Sequence, residues 1–334
     1  MATRVAVIGA GSWGTAVAAI AAANASTVLW ARREALADQI AKDHVNGDYL
    51  PDLPLPDSLE ATCDLRLATE GADVVVMGTP SHGFRAVLTE LAPWLGAGVP
   101  IVSLSKGFEE GTQLRMTEVI AEVCPGHPAG VLTGPNLAKE VLQGSPAAAV
   151  VAFEDDDVAE RLQALFSTGT FRVYRNDDVV GCEVAGALKN VMALAAGFAD
   201  GMGFGDNTKA ALMTRGLAEL TRLGVALGGS PITFAGLAGM GDLVATCSSR
   251  QSRNRHVGEQ LGKGRKIDEI IAEMKMVAEG VKTARSVVAI AQRVGVEMPI
   301  AEQVVAVLDG EVSASEVIGN LMSRSAKAES HGIA

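Results

Sequence analysis

The sequence is short of the residues that build metal centres and disulfide frameworks. Its 334 residues hold four cysteines (Cys63, Cys124, Cys182 and Cys247) and five histidines (His44, His82, His127, His256 and His331). They are scattered without the paired spacing of a zinc ligand set or a disulfide pattern, so neither a metal nor a disulfide scaffold is expected. Positive charge is also scarce: 28 Lys+Arg face 39 Asp+Glu, a formal net charge of −11. Binding to a phosphate backbone needs a basic surface, so no nucleic-acid partner is expected. Any anionic ligand must instead be held by a few local cations. No uninterrupted apolar run reaches the ~18–20 residues of a membrane span. The alanine-rich start imitates a secretory leader, with Ala22-Ala23-Asn24-Ala25 as the cleavage-like site. Gly9 to Gly14 would interrupt its apolar core, however, and Arg4 is the only early positive charge, so a cytoplasmic protein is expected.

Hydrophobic residues make up 48% of the chain, enough for packed cores, and the length allows two domains. In the first half, short apolar runs predict strands at Arg4–Gly9, Thr27–Ala31, Asp73–Gly78, Pro100–Leu104, Gly130–Thr133, Ala147–Phe153 and Phe171–Tyr174. Such nearly continuous runs suit strands buried on both faces of a parallel sheet. Helices between them include Ser12–Ala25, His82–Leu95 and Gln113–Val123. The alternation predicts an α/β fold whose N-terminal domain is a doubly wound, Rossmann-type parallel sheet. After about Asn176 the strand signal stops. Helices are predicted at Val179–Phe198, Asp206–Ala226, Asn254–Leu261, Ile267–Met274, Val281–Val294, Ile300–Leu308 and Ala314–Met322, most of them separated by glycine or proline. The expected organisation is residues 1–177 as a nucleotide-binding domain and 178–334 as an all-helical substrate and dimerisation domain.

The first strand-to-helix turn reads Gly9-Ala10-Gly11-Ser12-Trp13-Gly14, a glycine triplet in the strand–turn–helix context of a dinucleotide fingerprint. Gly9 permits the turn, Gly11 lets backbone approach a pyrophosphate, and Gly14 lets the helix pack on the strand. The pyrophosphate would then lie on the helix N-terminus, where N–H groups and the helix dipole favour an anion. The second strand ends in Arg32-Arg33, where NAD sites place an acid for the ribose 2′-hydroxyl. Two guanidiniums there suit a 2′-phosphate, so NADP(H) is preferred and NAD(H) is the second choice. The plainer reading is a solvated loop.

Two lysines stand out. Lys106 follows the strand Ile101-Val102-Ser103-Leu104, at a carboxyl end of the sheet, where such folds bind ligands. Lys189 lies in a helix that is apolar nearly all round, with Cys182, Ala185, Gly186 and Ala193 as its small helical neighbours. A long cation facing small residues implies that another group fills the space; the alternative is a lysine snorkelling to solvent. Asp242, after Gly239-Met240-Gly241, is most simply a helix N-cap. Ser252-Arg253-Asn254 precedes a helix and could cradle a small phosphate, or simply be a polar loop.

These motifs, in this order from about Arg4 to Arg324, resemble the bacterial NAD(P)H-dependent glycerol-3-phosphate dehydrogenase family. The resemblance rests on the glycine turn, Ser105-Lys106-Gly107, Gly134-Pro135, Ala138-Lys139-Glu140 and Gly186-Ala187-Leu188-Lys189-Asn190. It continues through Gly239-Met240-Gly241-Asp242-Leu243, Gln251-Ser252-Arg253-Asn254-Arg255 and Gly295-Val296-Glu297-Met298-Pro299. It implies reduction of dihydroxyacetone phosphate to sn-glycerol 3-phosphate for phospholipid synthesis, by a homodimer with Lys189 as catalytic acid/base. It also implies a substrate pocket from Lys106, Gly134, Asn136, Lys189, Asp242, Ser252, Arg253 and Asn254. For the cofactor it implies Ser12, Trp13, Arg32, Arg33, Lys106, Ala138, Arg253, Val277 and Glu279 beside the glycines. Asn136-Leu137 departs from the usual Ser or Thr followed by Phe, though Asn136 can still donate a hydrogen bond.

The chemistry needs no metal. As hydride reaches a ketone carbon, an ammonium near the oxygen can both stabilise the developing charge and supply the proton. Two other functions fit the same pattern: reduction of another small acid or ketone, which would need a carboxylate grip, and a noncatalytic NADP-binding sensor, which would have no use for Lys106 and Lys189.

Overall fold

A computed structural model describes residues 3–274, 278–326 and 328. Its contacts divide the chain into two compact units, one of Met1–Ser105 with Leu114–Val179 and the other of Lys106–Gln113 with Val180–Ala334. The segment Lys106–Gln113 thus belongs to the second unit, although it lies within the span expected to form the first.

Among the described residues, the first unit holds ten strands: β1 (Arg4–Ile8), β2 (Ser26–Trp30), β3 (Val45–Asn46), β4 (Leu50–Pro54), β5 (Leu59–Thr62), β6 (Val74–Met77), β7 (Ile101–Ser103), β8 (Ala129–Thr133), β9 (Ala147–Ala152) and β10 (Phe171–Asn176). Eight form one sheet in the order β10-β9-β8-β7-β6-β1-β2-β5, while β3 and β4 pair separately. The continuous apolar runs follow from burial on both faces. Val5 and Val7 of β1 join one core with Leu29, Val74 and Val76, whereas Ala6 and Ile8 join the other with Val28, Trp30 and Val75.

The sheet is not parallel throughout, as the sequence pattern suggested. β9 runs antiparallel to β8, and β10 is parallel to β9. Between β8 and β9 the only helix is Ala138–Leu142, five residues long. That is about 7.5 Å of helix, less than half of the roughly 16 Å that a five-residue strand climbs. It cannot return the chain to the start of the sheet, so the chain re-enters from the same end. Strands β3, β4 and β5 had no periodic signal. Pro51 and Pro54 break the pattern of β4 and are tolerated because β4 pairs only with β3.

Among the described residues, the second unit contains helices only. Its centre is Val179–Gly201, long and apolar enough by length and composition to cross a membrane, but with 94% of that apolar window buried inside the fold. The helix Arg253–Gly262 lies against it almost backbone to backbone. A Cβ on Gly197 would come within 2.8 Å of the Gly258 Cα, and one on Gly201 within 2.9 Å of the Gly262 Cα. Four glycines, spaced four apart on each helix, therefore set this crossing. Two short elements between residues 231 and 248 went unforeseen in a glycine-rich stretch: the helix Pro231–Ala235 and a π-helical turn, Leu237–Gly241.

Candidate active site

In the first unit β1 delivers the chain into the glycine turn. Gly9 has φ +121°, and a Cβ on Gly14 would sit 2.0 Å from the Gly9 carbonyl oxygen. Both glycines are therefore required by the protein's own packing. Gly11 differs: an added Cβ meets nothing within 4 Å, and its φ of −73° is open to any residue. The helix that follows, Ser12–Ala22, has neither a side-chain cap nor an acidic residue in its first turn. An uncapped helix start next to open space fits an anion such as a pyrophosphate. The Trp13 ring packs against Phe171, with centroids 6.1 Å apart, and its indole Nε1 is buried without a partner.

At the tip of β2, Arg32 is exposed and Arg33 is ion-paired with Asp48. The carboxyl end of β8 leads to Gly134, with φ +130°, and then to Asn136. Both amide atoms of the Asn136 side chain are buried and lack hydrogen-bond partners, as does the hydroxyl of Thr133. Buried polar atoms of this kind cost free energy unless a ligand satisfies them. Ala138 opens the short helix after this loop.

The second unit gathers two expected lysines around one expected carboxylate. Asp242 Oδ1 accepts from Lys189 Nζ at 2.6 Å, and Oδ2 accepts from Lys106 Nζ at 2.6 Å. Lys189 also donates to the Thr246 hydroxyl at 2.7 Å, and that hydroxyl donates to Asp242 at 3.2 Å. Side-chain exposure is 8% for Lys189, 2% for Asp242 and 14% for Lys106, which removes the snorkelling reading of Lys189. Asp242 is not a helix cap either. It is the first residue of the helix Asp242–Ser248, directly after the π-turn, and both of its oxygens serve lysines. Such π-turns are rare and recur where a side chain must be aimed.

Burial drives the Lys189 ammonium down to about 8; Asp242 opposes the shift, and Lys106 adds to it. Burial would raise Asp242, but the two adjacent ammoniums outweigh it and hold the carboxyl below its ordinary value. With all three groups ionised, two positive charges face one negative, a surplus suited to stabilising a developing oxyanion. Burial pushes the nearby Cys247 thiol up to about 12, so it is no nucleophile at neutral pH.

A chain of amides supports the cluster. Asn190 Nδ2 donates to the Lys106 carbonyl at 3.1 Å, Asn254 Nδ2 donates to Asn190 Oδ1 at 2.9 Å, and Gly280 N–H donates to Asn254 Oδ1 at 3.0 Å. The Ser252 hydroxyl caps the helix Arg253–Gly262 by accepting from the Arg255 N–H. Arg255 turns inward to Asp200 at 2.5 Å, whereas Arg253 is exposed at the helix start. Of the two arginines in this helix's first turn, Arg253 is exposed and Arg255 is committed to Asp200. Glu279 begins the helix Glu279–Arg293, and Val277 lies outside the described residues. Sequence reasoning passed over Thr246 and Asn190. The signals were present: Thr246 lies four residues after Asp242 on the same helix face, and Asn190 is next to Lys189.

Residues 4–159 match the N-terminal family described as NAD-dependent glycerol-3-phosphate dehydrogenase, and residues 178–319 match its C-terminal counterpart. The chain belongs to the glycerol-3-phosphate dehydrogenase family. Within it, the chain is 55% identical over 331 residues to glycerol-3-phosphate dehydrogenase [NAD(P)+] 2 of Sphingopyxis alaskensis, covering 99% of each. It is 54% identical to the glycerol-3-phosphate dehydrogenase [NAD(P)+] of Mycobacterium avium, covering 98% of this chain and 97% of that one. A solved glycerol-3-phosphate dehydrogenase from Coxiella burnetii superposes with a TM-score of 0.93 at 37% identity, covering 97% and 99% of the two chains. A ketopantoate reductase from Ralstonia eutropha, with a TM-score of 0.61 at 16% identity, shares the fold alone.

Proposed function

We propose that the chain reduces dihydroxyacetone phosphate to sn-glycerol 3-phosphate, reversibly, with NADP(H) preferred over NAD(H), and so feeds glycerophospholipid synthesis. The observation that carries this reading is the buried Lys189–Asp242–Lys106 cluster, with its surplus positive charge. The cofactor, when bound, supplies the hydride. Lys189 gives its proton to the carbonyl oxygen as charge develops there, so one ammonium acts as general acid and electrostatic stabiliser. Asp242 holds Lys189 and Lys106 in register, and Thr246 fixes the direction of the Lys189 ammonium. Arg253, exposed at the start of its helix, grips the substrate phosphate. Ser252 and Asn254 hold that helix start in place, and on the family resemblance they, with Gly134 and Asn136, also serve the substrate. On the family resemblance, the protein acts in the cytoplasm as a homodimer.

Purified protein should oxidise NADPH rapidly with dihydroxyacetone phosphate, and slowly with dihydroxyacetone or a 2-keto acid. A preference for the keto acid would replace the phosphate reading with a carboxylate one.

For the cofactor, Gly9, Gly11, Ser12, Trp13 and Gly14 would carry the pyrophosphate, while Arg32 and Arg33 would hold the 2′-phosphate. The family resemblance adds Lys106, Ala138, Arg253, Val277 and Glu279 to the residues that serve the cofactor. The glycines make opposite predictions. Gly11→Ala fits an open space, so its unfolding free energy should stay within about 0.5 kcal/mol of wild type while cofactor affinity falls. Gly14→Ala drives a methyl into backbone and should cost roughly 1–3 kcal/mol or more. Thermal melts and NADPH fluorescence titration separate the two. Substituting Arg32 and Arg33 together with alanine should raise the NADPH KM about tenfold, as for loss of a charge-assisted contact, and leave NADH nearly unchanged. Arg32→Ala should account for most of this, because Arg33 already has Asp48 as a partner. Equal losses for both cofactors would remove the 2′-phosphate assignment.

A further inference from the structure

Asn46 is fully buried, uncharged and absent from every motif considered above. It lies on β3, outside the main sheet, yet its side chain reaches into the glycine turn. Asn46 Nδ2 donates to the Ala10 carbonyl at 3.0 Å and to the Thr15 hydroxyl at 2.7 Å, and Oδ1 accepts the Tyr49 N–H at 3.2 Å. Both amide hydrogens and the carbonyl are thus committed.

Ala10 stands between Gly9 and Gly11, and Thr15 directly follows Gly14, so one amide grips both ends of the turn. The carbonyl of Ala10 and the N–H of Gly11 belong to a single planar peptide and point in opposite directions. Fixing the carbonyl fixes the N–H. At that point no protein atom approaches within 4 Å of where a Gly11 side chain would begin. Ala10 is buried, so an apolar residue in place of Asn46 would leave its carbonyl short of a partner. The asparagine is itself anchored: the Gly47 N–H donates to Gln39 Oε1 at 3.1 Å, and the Leu55 N–H donates to the His44 carbonyl at 2.8 Å.

We propose that Asn46 is a positioning residue for the cofactor pyrophosphate, holding the Ala10–Gly11 peptide so that its N–H faces the anion. The proposal rests on reading this turn as the cofactor site. Its signature is selectivity among ligands. Asn46→Ala should weaken binding of NADPH and of ADP-ribose, both of which carry a pyrophosphate, about tenfold. Adenosine 2′-monophosphate, which has none, should bind as to wild type. The KM for dihydroxyacetone phosphate and kcat at saturating NADPH should not change. General damage to the fold would weaken all three nucleotides together; that result, or no change in any of them, would overturn the proposal.

Should Asn46→Ala fail to fold, the isosteric Asn46→Asp serves. Its carboxylate cannot donate to the Ala10 carbonyl, but the protonated acid can, so the NADPH KM should recover as pH falls while the KM for dihydroxyacetone phosphate does not follow it. An NADPH KM that does not respond to pH would overturn the proposal. Gly11→Ala separates the two levels of inference. If folded Gly11→Ala binds ADP-ribose as wild type does, the turn is not the pyrophosphate site and the proposal falls with that reading. If Gly11→Ala loses affinity and Asn46→Ala does not, only the role of Asn46 is wrong.

Discussion

Replacing Lys189 with alanine is expected to lower kcat by about 10²–10⁴, the scale for losing a general acid, while NADPH affinity stays at the wild-type level. The ammonium contacts Asp242 and Thr246 within the helical unit, so its loss does not disturb the glycine turn. A variant that keeps more than about a tenth of wild-type kcat, well above that scale, would make Lys189 structural. The titration of Lys189 near 8 gives the same role a pH signature. Ketone reduction needs the protonated amine, so its kcat/KM should fall as pH rises through about 8. Alcohol oxidation needs the neutral amine and should rise over the same window. Proton release pushes the overall equilibrium in the same direction, so Lys189→Arg is the sharper test. Arginine stays protonated in proteins, and oxidation by this variant should be impaired at every pH.

Substituting Arg253 should produce the second large effect, confined to phosphorylated substrate. Arg253 is exposed at the start of its helix, in a chain whose net charge of −11 would otherwise repel an anion. If it closes on the substrate phosphate, Arg253→Ala forfeits about 2–5 kcal/mol of kcat/KM for dihydroxyacetone phosphate. Part of that loss should appear in kcat, because binding energy at the remote phosphate helps to place the reacting carbonyl. Dihydroxyacetone should react poorly with wild type and almost equally poorly with the variant. Slowing of both ketones by one factor would end the phosphate reading of this loop. NADPH must be titrated alongside, since the family pattern brings Arg253 near the cofactor. Arg255→Ala is the contrasting case: its guanidinium belongs to Asp200, and the cost there should be paid in stability.

Local patterns carried the sequence reading a long way. Seven main-sheet strands and the long helices announced themselves by period and punctuation, and Lys189 stood out because its helical neighbours Cys182, Ala185, Gly186 and Ala193 are all small. What could not be read was which distant residues meet. Asp242 is 53 positions from Lys189 and 136 from Lys106, so its local context suggested only a cap. Ser252 and Asn254 looked like ligands, and their sequence context gave no sign that they also bond within the protein, Ser252 at the helix start and Asn254 with Asn190 and Gly280. The reversal at β9 depends on the length of one short helix. The glycine pairs at 197/201 and 258/262 acquire meaning only when the two helices are seen crossing.

The excursion of Lys106–Gln113 into the helical unit bears on how such a chain can be cut or recombined. The polypeptide changes unit three times, at 105/106, 113/114 and 179/180. A split gene or chimera joined near residue 178 would respect the apparent linear border but not the physical one. It would leave the helical fragment without Phe108, which is buried in that unit's core, and without the ammonium that neutralises half of Asp242. The eight-residue loop and the helices must therefore be inherited as one block, and exchanges between relatives that separate them remove a core side chain and a charge in a single step.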